Sequence, residues 1–187
     1  IQMQTHGVID PLLKVRLATT VDQACDAEIQ LLSRAEIAAR RDRLKLVLSG
    51  DPLDVHNFSD AQISAFSKKM DTGAPPYVDF AIWGPYGNRT ERRCKFEANF
   101  RDTQGNWKTV ELPGPADFTA WEASWEVFKS AAIAENVASL ATLTRYAAEF
   151  KSRVVTYPGC WHLAVEADVL ARSEQMVTKR RELEVLH

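Results

Sequence analysis

Apolar residues recur at helical spacing over most of the chain, and only one stretch in the middle changes to strict alternation. Val21, Cys25, Ile29, Leu32, Ile37, Leu44 and Leu48 lie near every third or fourth position, the spacing of a single helix face. Thr20-Val21-Asp22-Gln23 in front of them reads as a capping box, whose side chains satisfy the free N–H groups of a helix start. A long helix is therefore expected from there to about Leu48, where Gly50-Asp51-Pro52 stops it. A shorter helix is expected from Asp10-Pro11 to about Ala18, with proline at the first position, where no N–H is needed. Asp22, Asp26, Glu28 and Glu36 come early in the long helix, and Arg40, Arg41, Arg43 and Lys45 come late. That order complements the helix dipole and gives the basic cluster a structural reason.

Ser59-Asp60-Ala61-Gln62 repeats the capping signature and predicts a helix through Met70, ended by Asp71-Thr72-Gly73 and Pro75-Pro76. Tyr77 to Trp83 is β-compatible. From Arg93 to Phe100, charged residues alternate with Cys94, Phe96, Ala98 and Phe100, and Trp107 to Leu112 alternate again. The intervening Asp102-Thr103-Gln104-Gly105-Asn106 has turn chemistry, so residues 93–112 are expected to form a β-hairpin. A hairpin this short must pack its apolar face on helices. Thr119-Ala120-Trp121-Glu122 then reads as a third capping box, followed by a stripe of Trp121, Trp125, Phe128 and Ala132. Ser139 is expected to cap a helix to about Tyr157, and Pro158-Gly159 separates it from a last helix over roughly Cys160 to Leu186.

These elements predict an α+β fold, predominantly α-helical, a helical bundle with one mid-chain hairpin. Residues 1–50 read as an N-terminal helical segment and residues 51–187 as an α-rich globular domain. The expected core joins Trp121, Trp125, Phe128, Leu143, Tyr146, Phe150 and Trp161 to Phe96 and Phe100 of the hairpin.

Composition narrows the function classes. With 45% hydrophobic and 26% charged residues over 187 positions, the chain has an ordinary globular balance. A formal net charge of −2 argues against binding nucleic acid through an overall field. No apolar run reaches the roughly 18 residues of a membrane span, and membrane insertion is not expected. The opening residues lack a basic stretch followed by an apolar one, so no secretory signal is read there. Cys25, Cys94 and Cys160 are widely separated and form no CxxC or zinc spacing. A sparse, odd set suits a reducing compartment, an intracellular and cytoplasmic setting, with the thiols expected to be buried and inert.

Asp71-Thr72-Gly73-Ala74 matches the aspartic-protease signature, in which two aspartates share a proton. That loop must leave an apolar strand, whereas Phe66-Ser67-Lys68-Lys69-Met70 precedes it here as an amphipathic helix. Gly84-Pro85-Tyr86-Gly87-Asn88-Arg89 has neither phosphate-loop spacing. His6, His56, His162 and His187 are dispersed, and Cys160 and His162, two apart, point to different sides of a helix. No catalytic residue, cofactor or metal is therefore assigned. Tyr86, Arg89, Arg92, Arg93 and Lys95 make a local basic surface that suits RNA or a protein partner. Solvated charges on the outer strand face explain the same residues without a ligand.

"PPYVDFAIWGPYGNRTERR", "TVELPGPADFTAWEASWEVFKSAA" and "YPGCWHLAVEADVLARSE" together resemble the Gag-like, repetitive region of protist retroelement polyproteins, over roughly residues 73–174. The resemblance implies a helical capsid-type protein that self-associates and packages RNA. The residues themselves leave open a soluble accessory subunit of a larger complex.

Overall fold

The structure, a computed structural model, describes residues 31–51, 53, 56–85 and 94–175. Within them lie α1 (Arg34–Leu48), α2 (Asp60–Asp71), β1 (Lys95–Arg101), β2 (Trp107–Pro113), α3 (Phe118–Ala134), α4 (Leu140–Thr156) and α5 (Trp161–Leu170). A π-helical turn, Ala171–Gln175, continues α5. The fold is α+β and mostly helical, with one antiparallel hairpin.

Local side-chain chemistry sets the helix starts. Ser59 caps α2 and Gln62 returns the bond, as expected; Ser139 caps α4 through Thr142 N–H. The long helix expected from Val21 does not run unbroken, because residues 31–33 are not helical. Instead α1 begins at a capping box of its own, in which Ser33 Oγ accepts from Glu36 N–H and Ser33 N–H donates to the Glu36 carboxylate at 2.9 Å. The residues before position 31, including the helix expected from Asp10, lie outside the described residues. At α3 the cap is Asp117, which accepts from Ala120 N–H at 2.8 Å, so Thr119 falls inside the first turn. The stretch Tyr77 to Trp83 is not a strand. Asp79 folds it into a turn by accepting from Ala81 N–H with its carboxylate and from Trp83 N–H with its carbonyl, both at 2.8 Å.

Three helices end alike. After α1, α2 and α3 the chain turns into the left-handed region at Ser49 (φ 56°), Gly73 (φ 70°) and Asn136 (φ 56°). Each time that residue's N–H bonds the carbonyl three back, and the next N–H bonds the carbonyl five back: Ser49 to Leu46 and Gly50 to Lys45, Gly73 to Met70 and Ala74 to Lys69, Asn136 to Ile133 and Val137 to Ala132. This is the Schellman motif, which satisfies the last carbonyls of a helix. Gly73 therefore has a backbone reason to be glycine, and Asp71 is the exposed last residue of α2.

Helix α3 runs through the middle of the core. Trp121, Trp125, Val127, Phe128, Ala131, Ala132 and Ala134 are completely buried, while Thr119, Ala120 and Glu122 near its start face solvent. Trp121 and Trp125 lie stacked at 5.1 Å, Tyr146 stacks on Trp125 at 4.9 Å, and Phe150 stacks on Trp121 at 4.2 Å. From the other side come Phe58, Ile63, Phe66, Val78, Phe80 and Trp83, and α1 adds Ile37 and Leu44. The late arginines of α1 do more than complement its own dipole. Arg40 joins Glu135 and Ser67, while Arg43 donates to the Ala134 carbonyl at 2.6 Å, so α1 is fastened to the C-terminal end of α3.

Phe96 and Phe100 do not enter this core. Phe96, Ala98 and Val165 form a second cluster with Phe100, Leu112 and Val169 around them, and Trp161 touches both clusters. The reason is geometric: the hairpin rests on α5 through Val165 and Trp161, and α5 in turn packs on α4, where Phe150 meets Trp161. Gly114 marks the closest approach. A Cβ there would sit 3.2 Å from Phe96 and 3.4 Å from Val165, at a φ of 144°.

Because Ser49 occupies the position that Gly73 fills after α2, Ser49→Gly is expected to stabilise the protein by about 0.5–1 kcal/mol through relief of the left-handed strain. Chemical denaturation checks this as a higher midpoint at unchanged slope; a lower midpoint would show that Ser49 is held there by something stronger.

Candidate interaction site at the hairpin

Of the five residues read as a basic surface, Lys95 is described; Tyr86, Arg89, Arg92 and Arg93 lie outside the described residues. Lys95 opens β1, exposed, with its ammonium 2.7 Å from the Glu111 carboxylate on β2. A cation already facing a carboxylate has less to offer a phosphate. The thiols differ from expectation: Cys94 is half-buried and Cys160 exposed, because Cys160 sits in the turn before α5 rather than on its inner face.

The hairpin is built by its turn. Asp102 accepts from the N–H groups of Gln104 and Asn106 with one carboxylate oxygen, at 2.9 and 2.8 Å, and Gly105 supplies the positive φ of 89°. The Asn106 N–H, together with Lys108, holds the Asp102 carboxyl below its usual range. Register pairs Phe96 with Leu112, Ala98 with Val110 and Arg101 with Trp107. The ladder's bonded pairs fall on even-numbered β1 residues. At one end Gly114 N–H donates to the Cys94 carbonyl, at the other Asp102 N–H donates to the Asn106 carbonyl, and bonded pairs alternate between them. Pro113, opposite Lys95, is then at a position whose missing N–H would have pointed outward.

Two consequences follow for the surface. First, among the described residues β1 has one free edge, along which the backbone groups of Lys95, Glu97, Asn99 and Arg101 point away from β2. A groove of about 680 Å³ runs beside it, lined from one face of the strand by Phe96 and Ala98, from the other by Glu97 and Asn99, and by Trp107, Trp161 and His162. Second, β2 is exposed almost throughout, with Trp107 72% and Val110 36% accessible. An exposed tryptophan beside an open strand edge is the anatomy of a contact surface rather than of a core. Sequence reasoning placed Trp107 in the alternating strand but gave it no role.

Behind the hairpin, α5 is pinned by a buried ion pair that sequence reasoning missed. Arg172 and Asp168 are both 1% exposed, with Arg172 Nη2 2.7 Å from Asp168 Oδ2. Arg172 Nη1 donates to the Val78 carbonyl at 2.6 Å, its guanidinium lies 3.8 Å from the centre of the Phe80 ring, and Tyr146 donates its hydroxyl to Asp168 at 2.9 Å. Burial, with the Asp168 carboxylate beside it, pushes the Tyr146 phenol well above its usual range. Burial likewise raises Tyr77 and lowers the Lys69 ammonium, which donates to the Tyr77 carbonyl. Perturbed groups of this kind mark catalytic sites when one of them opens onto a cleft. Arg172, Asp168 and Tyr146 are turned on one another, which is the arrangement of a structural clamp.

Among the described residues no group of His, Cys, Asp and Glu is placed to hold a metal ion, and no helix is long and apolar enough to cross a membrane. No family model, curated protein or solved structure matches the chain.

Removing one partner of a buried pair strands the other charge. Asp168→Leu is therefore expected to cost about 3–5 kcal/mol, and the double change Asp168→Leu with Arg172→Met to recover most of that loss. A denaturation cycle over the single and double variants decides it. Additive losses would mean that the two residues act independently.

Proposed function

We propose that the chain is a non-enzymatic assembly protein, as the Gag-like resemblance implies, and that it associates with copies of itself through the hairpin side. The observation that carries this reading is the combination of a free β1 edge, an open groove along it and the exposed Trp107 at its end. A two-stranded sheet is marginal alone and gains from added strands. Its position favours docking as well, since the hairpin stands on α5, outside the main core. The protease-like Asp71 closes a helix in this fold, where no strand leads into it. RNA contact falls to the stretch with Tyr86, Arg89, Arg92 and Arg93, with Lys95 committed to Glu111.

A second reading, an accessory subunit that docks on a different protein, is favoured by α5. Leu163 and Leu170 are 53% and 47% exposed, with the exposed Ala167 between them on one helical stripe. The sparse cysteines suit a cytoplasmic setting for either.

Light scattering over a wide concentration range separates the two. Assembly gives a mass that rises with concentration for the chain alone. An accessory subunit keeps a monomer mass throughout, and that result would overturn the assembly reading. Binding to single-stranded RNA, where present, should weaken with salt at a log–log slope of about −0.7 per phosphate neutralised.

A further inference from the structure

The charges on β1 specify how two copies would meet, and this inference rests on the self-association reading above. We infer that two chains pair antiparallel through their free β1 edges, with Asn99 on the two-fold axis and Glu97 opposite the second copy's Arg101. The result is a four-stranded sheet in the order β2, β1, β1 and β2.

The edge allows only a few registers. The outward backbone groups belong to Lys95, Glu97, Asn99 and Arg101, so any pairing must bond these residues to one another. Centring the axis on Ala98 sets Lys95 against Arg101 twice, cation against cation. Centring it on Glu97 sets two carboxylates face to face. Centring it on Phe96 or Phe100 leaves only three residues of β1 overlapping, and the Phe96 axis demands Lys95, which already faces Glu111. Centring on Asn99 aligns residues 97–101 and makes two opposite-charge pairs, each a favourable cross-strand contact where like charges would repel.

Both members of those pairs are available. Glu97 has no ion-pair partner among the described residues, and Arg101 meets only the Gly105 carbonyl, at 2.9 Å. Glu97 also stands directly opposite Glu111 within the hairpin, an unfavourable juxtaposition in the single chain. An arriving guanidinium would relieve it. The completed row across the sheet reads Glu111, Glu97, then the second copy's Arg101 and Trp107. On the opposite face Ala98 would meet the second copy's Phe100, small against large.

The test is sedimentation of Glu97→Arg and Arg101→Glu, alone and mixed. Each variant alone puts like charges together at both contacts and should weaken self-association about tenfold or more. Mixing the two in equal amounts sets two arginines against two glutamates and should restore wild-type affinity in a one-to-one complex. Glu97→Arg faces Glu111 within its own hairpin, so it should fold at least as well as the wild type, and thermal melting verifies that. If the wild type associates while the variants associate equally well, the edge register is wrong and the assembly reading survives. Singles that weaken without rescue on mixing also overturn the register. A wild type that stays monomeric at every concentration overturns the assembly reading and this interface with it.

Discussion

Arg172 ties together parts of the chain that lie far apart in the sequence. Its side chain is buried at 1% exposure, bonded to Asp168 one turn earlier, to the Val78 carbonyl 94 positions away, and laid over the Phe80 ring. A guanidinium tolerates such burial only when its donors are satisfied and its charge is matched. Those demands dictate the surroundings. The chain after α2 must deliver a carbonyl at Val78 and a ring at Phe80, which is what the Asp79 turn does. Helix α4 must present Tyr146 to the far side of Asp168. The change from α to π winding at Ala171–Gln175 occurs at this residue, and such windings gather where a local side-chain demand outweighs helix regularity.

From the clamp outward the structure has a clear order of dependence. Arg172 fixes α5; α5 offers Val165 and Trp161 to the hairpin; the hairpin holds Phe96 and Ala98 against them and leaves its other face and its outer edge to solvent. Trp161 strengthens the middle link by donating its indole N–H to the Pro115 carbonyl at 2.8 Å, just past β2. The main core and the hairpin's cluster share only Trp161. That separation leaves a strand edge free for contact while the tryptophans of α3 remain buried.

The elements governed by neighbouring residues were legible in the sequence. Ser59 with Gln62 and Ser139 announced their helices because a capping bond spans only three positions. The Trp121, Trp125 and Phe128 stripe announced the core, and Asp102 to Asn106 announced the turn. Ser33 with Glu36 carried the same signature, but apolar spacing continued across it and hid the break. At Tyr77 to Trp83, aromatic and β-branched residues imitate a strand, and the carboxylate of Asp79 overrides them by capping its own backbone. Of the site, the hairpin and Lys95 could be read, as could the alternation that turns Glu97 and Arg101 outward. The clamp could not, because Arg172 on a helical pattern looks like any solvated arginine until the fold brings Val78 to it.

The most direct test is backbone amide hydrogen exchange on Arg172→Met beside the wild type. If the clamp secures α5 and α5 carries the hairpin, protection falls together in residues 80–83, α5 and β1, while the amides of α1 and α2 keep most of theirs. A loss spread evenly over all helices, or one that leaves α5 and β1 untouched, would contradict it.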